Sequence, residues 1–218
     1  MRKLNGVFPA VVMDNVDPEN LGRVKVMIPH IGASAGHHSY EAWARIATLM
    51  AGMNRGTWFI PDVNDEVLVA FEAGDMTRPC VMGCLWSNAN PPPETMDTNN
   101  NKKLLRSRNG VKITLDDQSG QESFIVETPN GQKITLKDGP GSIEIADSNG
   151  NSVMFDTTGI MVNASAKVTI NASQVEINSG MVSVNSGMSK FSGVVKCDTL
   201  ISNSVVSASY TPGAGNIW

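Results

Sequence analysis

From Leu104 onward, apolar residues alternate with polar ones in short runs: Val111/Ile113/Leu115, Ile134/Leu136, Ile143/Ile145, Val153/Phe155 and Ile160/Val162. Turn-forming stretches such as DDQSG, PNG, DGPG and DSNG separate them. A period of two bounded by turn residues predicts half-buried strands. The pattern then tightens to seven: VTINASQ from Val168, VEINSGM from Val175, VSVNSGM from Val182 and a degenerate SKFSGVV from Ser189. A heptad invites a coiled coil. Here, though, the apolar positions are the first and third, and Asn, Ser and Gly fill the rest, which a helix tolerates poorly. Each unit is instead a short strand with two inward side chains, followed by a corner of residues that accept left-handed backbone geometry. Such a segment is a β-solenoid or an intertwined β-helix. A self-coiling chain would need about three units per turn, so four units make little more than one turn. Three intertwined chains would close a core in every layer. That favours a homotrimer with Val168, Ile170, Val175, Ile177, Val182, Val184 and Phe191 in its core.

The first 90 residues read differently. They hold three of the four tryptophans and all three histidines, and apolar runs alternate with turns such as DPENLG and EAGDMTRP. Five strands are predicted: Gly6 to Met13, Arg23 to Pro29, Ala42 to Met50, Glu66 to Glu72 and Pro79 to Trp86. Five short strands closing on themselves is the count of an OB-fold. Asn88 to Lys103 lacks any apolar period and carries runs of three prolines and three asparagines, the composition of a linker. The expected plan is all-β: an OB-fold barrel over 1–90, a Pro/Asn-rich linker over 91–103, an intertwined triple-stranded β-helix needle over 104–195 and a needle tip over 196–218.

Composition narrows the partners. Charged residues are 17% of the 218, below the roughly 25% of a typical globular chain, and the net charge is −4. An acidic chain with no basic stripe is a poor fit to nucleic acid or anionic lipid. Its basic barrel residues Arg23, Lys25, Arg45 and Arg55 are scattered, without an aromatic platform for bases. No apolar run approaches the roughly 20 residues of a membrane helix, and the N-terminus lacks a signal-peptide pattern. Synthesis in the cytoplasm is the expectation, with export only as part of a larger assembly. From Gly159 to Val195 the only charges are Lys167, Glu176 and Lys190, and from Thr199 to Trp218 there are none. Narrow corners favour small polar residues, and a rod that crosses a membrane also profits from having few charges to desolvate.

Candidate chemistry is sparse. Cys80 and Cys84 would lie about 13 Å apart along a strand, too far for a disulfide or one ion. His30, His37 and His38, with Glu41 nearby, surround a small-residue loop that fixes no ligand geometry. Asp62, Asp65 and Glu66 read as a turn leading into a strand rather than paired acid and base. No catalytic residue, metal site or cofactor is expected, and the protein is read as not an enzyme.

Three segments carry a family resemblance: VVMDNVDPENLGRVKVMIP (Val11 to Pro29), WARIATLMAGMNRGTWFIPDVNDEVLVAFEAGDMTRPCVMGCLW (Trp43 to Trp86) and RSRNGVKITLDD (Arg106 to Asp117). They resemble the central spike of contractile phage tails, the baseplate assembly protein V family, and the related valine-glycine repeat spikes of type VI secretion and phage-like injection systems. The resemblance implies an OB-fold seated on a baseplate hub protein and a trimeric needle that pierces the target cell envelope. It places the protein in a virion tail baseplate or an assembled injection particle. Some members insert a lysozyme domain between barrel and needle, where this chain has only the linker. Others end in a His-x-His iron site, whereas the last histidine here is His38. The remaining family solution is a separate PAAR-type tip protein, which Tyr210, Ile217 and Trp218 would dock. The rival reading is a trimeric β-helical fibre that binds a receptor or glycan.

Overall fold

The computed structural model describes residues 3–29, 31 and 39–208. The chain divides between Lys167 and Val168 into two units. The described residues contain strands, turns and a single short 3-10 turn at Glu72–Gly74.

The first unit begins with strands β1 (Val7–Asp14), β2 (Val24–Ile28), β3 (Tyr40–Ile46), β4 (Ala51–Gly52), β5 (Arg55–Gly56), β6 (Glu66–Phe71) and β7 (Pro79–Leu85). Five of them form a closed barrel in the spatial order β1-β2-β3-β7-β6. Every pair in it is antiparallel except β3 with β7, and that parallel pair, with β6 returning to β1, closes the barrel and removes free edges. Alternation decides what goes inside. Val24, Val26 and Ile28 of β2 and Val67, Val69 and Phe71 of β6 are buried while the residues between them are not. Val12, Ala44 and Val81 complete the same core. Phe71 meets Phe8 and Tyr40, each with ring centroids 5.6 Å away, a spacing at which tilted rings attract. The Tyr40 hydroxyl donates to the Met76 carbonyl.

The remaining two strands make an arm, the first difference from expectation. The chain leaves the barrel after Ile46 and forms a small ribbon of β4 with β5, where one long strand to Met50 was expected.

The DPENLGR turn between β1 and β2 is built on one carboxylate. Asp17 accepts backbone N–H bonds from Glu19 (3.0 Å), Leu21 (2.9 Å) and Arg23 (3.1 Å), and its Oδ1 lies 2.8 Å from the Arg23 guanidinium. The same guanidinium lies 5.9 Å from the centre of the Trp43 ring. The Arg23 bond, helped by the backbone donors, holds the Asp17 carboxyl well below its ordinary value of 3.8. A group depressed in this way contributes stability that is complete above its unfolded value and is lost as pH falls below it. Asp17→Asn should therefore weaken the barrel at neutral pH and flatten its acid dependence. Melting followed by tryptophan fluorescence from about pH 7 to about pH 3 checks this. Parallel acid profiles for the parent and the variant would contradict it.

After the barrel, residues 102–163 form a seven-stranded meander: β8 (Lys102–Arg106), β9 (Lys112–Asp116), β10 (Ser123–Glu127), β11 (Lys133–Lys137), β12 (Ser142–Ala146), β13 (Ser152–Asp156) and β14 (Gly159–Asn163). Each strand pairs antiparallel with its neighbour in sequence. This differs from the expectation that strands from Leu104 onward bond between chains. Turns of only a few residues let successive strands pair at little loop-closure cost, so the ladder closes within the chain. The strands also start inside the predicted linker, at Lys102.

In the second unit, residues 168–208 have no strand and no buried residue.

Candidate trimer interface

Period-two alternation and strict register give the meander two unlike faces. One carries two apolar rows across all seven strands. The first row runs Leu115, Phe124, Leu136, Ile143, Phe155, Ile160, with Lys103 on the edge strand β8. The second runs Leu105, Ile113, Val126, Ile134, Ile145, Val153, Val162. Adjacent members sit directly opposite one another, so the rows form a continuous apolar stripe about 29 Å long at strand spacing. The other face is mixed: its middle row runs Leu104, Thr114, Ile125, Thr135, Glu144, Met154, Met161, and charged or small polar residues flank it. There Lys112 pairs with Glu127 at 3.1 Å, and Thr114 and Thr135 are covered between longer neighbours.

The apolar stripe lacks a cover in the single chain. Phe124, Leu136, Ile143 and Phe155, in the middle of the sheet, are 39%, 40%, 43% and 40% exposed. So many apolar side chains on one face, each with on the order of 1 kcal/mol to gain from burial, are more than a soluble sheet leaves bare. Facing a second or third copy would satisfy the stripe. The turns hold the sheet's shape from outside: Asp147 accepts from the Asn151 side chain (2.7 Å) and from the backbone N–H groups of Asn149 and Asn151, which lowers its carboxyl to about 2.

The repeat residues expected in the trimer core, Val168, Ile170, Val175, Ile177, Val182, Val184 and Phe191, are all exposed, and the lone chain builds no core from them. Tyr210, Ile217 and Trp218, assigned to a tip contact, lie outside the described residues, as do His30, His37 and His38. The stripe residues Phe124 and Val126 escape a reading of the sequence. Ile125 between them makes the centre of SFIVE an unbroken apolar run and hides its period.

The acidic turn has structural work. Asp65 accepts the Asp62 backbone N–H at 2.8 Å, and Asp62 pairs with Arg108 of the β8–β9 turn at 2.7 Å, tying barrel to meander. Among the described residues no group of three or more His, Cys, Asp or Glu is placed to hold a metal ion. Cys80, Cys84 and Cys197 are free thiols.

A family profile for the "Type VI secretion system/phage-baseplate injector OB domain" matches residues 8–86, the barrel. A second, for the "Phage baseplate V C-terminal trimerisation domain", matches 123–188, which runs from β10 through the third repeat unit. The chain belongs to the baseplate V family of spike proteins. Among curated relatives of this baseplate V chain, the type VI secretion system spike protein VgrG3 of Vibrio cholerae is 30% identical over 113 residues, 50% of this chain and 11% of the relative. VgrG4b of Pseudomonas aeruginosa is 29% identical over 119 residues, 52% of this chain and 15% of the relative. The actin cross-linking toxin VgrG1 of Vibrio cholerae is 31% identical over 108 residues, 47% of this chain and 10% of the relative. The baseplate V chain thus matches only a small fraction of these longer proteins. The matched trimerisation domain supports a homotrimer, and it selects three copies where sheet geometry alone would also admit a face-to-face pair.

Proposed function

We propose that this chain is a homotrimeric, non-enzymatic central spike of a contractile tail baseplate or injection machine. The observation that carries the reading is the uncovered double apolar row inside the matched trimerisation domain. In the trimer, three meanders turn their rows inward, and three copies of the repeat from Val168 wind into an intertwined β-helix in which each seven-residue unit supplies two inward side chains. The OB-fold barrels seat on a hub protein. The weakly charged segment beyond Gly159 leads into the target envelope, and a PAAR-type tip protein docks at Tyr210, Ile217 and Trp218. Function is mechanical: compression along the axis is resisted by ladder hydrogen bonds and a dry core.

A label that reports position tests this against the fibre reading. A gold-binding tag in the exposed turn at Ser119 should appear on the particle axis at the baseplate end. Label on peripheral fibres would overturn the spike and favour a glycan-binding fibre. For the absence of enzyme activity, purified trimer incubated with peptidoglycan should release no muropeptides. Release that scaled with protein across independent preparations would refute the purely structural role.

A further inference from the structure

The arm after β3 is a further apolar surface among the described residues that the single chain leaves bare. The Ala47 N–H bonds to the Val81 carbonyl at its root, and the Thr57 N–H bonds to the Met50 carbonyl across its stem. Beyond that, the ribbon has two residues per strand, too little to be stable by its own contacts. Its side chains nonetheless are large and apolar: Leu49 is 94% exposed and Met53, at the tip, 95%. Between arm and barrel lies an open groove of about 1160 Å³. Its floor includes Leu21, Gly22, Trp58, Phe59 and Met82. The Trp58 ring covers Gly22 so closely that a Cβ there would stand 3.2 Å from it, and the outer part of Trp58 leaves the residue 76% exposed.

We propose that each arm inserts into the groove of the next copy around the trimer axis, so that the three barrels are clasped in a ring. The inference rests on the trimer reading. Three observations favour a second copy as occupant. From Ile46 to Ile60 the only charge is Arg55, so nothing here selects a strongly charged partner, whereas the apolar part of the groove, at Leu21, Trp58, Phe59 and Met82, suits an apolar tip. The arm's inner side, Leu49 included, walls the groove, whereas Met53 at its tip is not part of that lining; tip and groove are thus different surfaces of one chain, the heterologous arrangement that closes into a ring under threefold symmetry. The barrel is also continuous with the trimerisation region: the Asp62–Arg108 pair ties it to the meander in the same unit, so three barrels are brought together whenever three meanders are. Met53 is the anchor and Trp58 its seat, and Leu49, in the groove's wall, is covered by the tip that enters.

The test uses the full chain without its partners, in a background of Cys80→Ala, Cys84→Ala and Cys197→Ala. Met53→Cys and, separately, Leu49→Cys are reacted with a maleimide, with Ser119→Cys as the exposed control, and the mass of each sample is measured by light scattering. The clasp predicts a trimer in which the thiols introduced at positions 53 and 49 react more than about tenfold slower than in denaturant, while the thiol at position 119 reacts at its denatured rate. Since the arm is bare in a lone chain, slow reaction reports a neighbouring copy. A trimer in which the thiols at 53 and 49 react as fast as the one at 119 overturns the clasp and leaves the arm for a hub, with the trimer reading intact. A monomeric mass would remove both.

Discussion

Leu136→Asp should abolish the trimer while leaving the barrel folded. Leu136 sits at the centre of the first apolar row, with Phe124 and Ile143 directly opposite it on the flanking strands. In the assembled spike, three copies would bring three carboxylates into one dry core, with no cation on the flanking strands of that face; the row's one charge, Lys103, lies three strands away on β8. An unpaired buried charge costs about 3 to 5 kcal/mol, and mutual repulsion adds to it in every layer that holds three. The barrel's buried core, centred on Val12, Val26 and Val69, does not involve the meander. Sedimentation velocity should therefore show loss of the trimer, and the tryptophan fluorescence of the barrel should persist. Lys137→Asp, one residue along and on the opposite face, is the control: side chains alternate, so it should leave the mass unchanged. If Leu136→Asp sedimented as the parent does, the apolar rows would not face the axis.

Ile177→Asp should act differently, and the difference follows from where the hydrogen bonds are. Residues 102–163 pair strand to strand within the chain, leaving only the outer edges of β8 and β14 open, so this sheet should form without the other copies. Residues 168–208 have no strand and no buried residue in the single chain, and in the proposed trimer the other copies cover them. A carboxylate at position 177 should leave the meander trimer standing and unwind the repeat around it. Limited proteolysis should cut the variant after Lys167 at a rate at least about tenfold above the parent. Equal resistance in parent and variant would mean that Ile177 is not an inward position and that the register of the seven-residue unit is wrong.

The barrel was legible because its strands obey simple alternation. Val24, Val26 and Ile28, or Val67, Val69 and Phe71, declare one inward face, and the DPENLG and EAGDMTRP turns mark the ends. The arm was not legible, since the TLMA stretch reads as a continuing strand. β3 ends where its parallel pairing with β7 ends, at Ile46 opposite Val81, a tertiary feature that the local pattern does not carry. In the meander, the triplets revealed individual strands but not their pairing. Intrachain and interchain ladders bury the same side chains, and only the short turns favour the former. β10 escaped notice because Ile125 fills the one position at which a polar residue would have exposed the period. The heptad from Val168 posed the opposite case: its pattern is plain in the sequence, yet the isolated chain shows no core there; in the proposed trimer the side chains that cover Val175 and Ile177 belong to other copies.

The mass of the purified chain in solution tests the account most directly. Light scattering at micromolar concentration should give a single species of about 70 kDa, three times the 23.3 kDa chain. A monodisperse species at the mass of one chain would contradict the account, since neither the apolar rows of the meander nor the repeat beyond Val168 would then have anything to cover them.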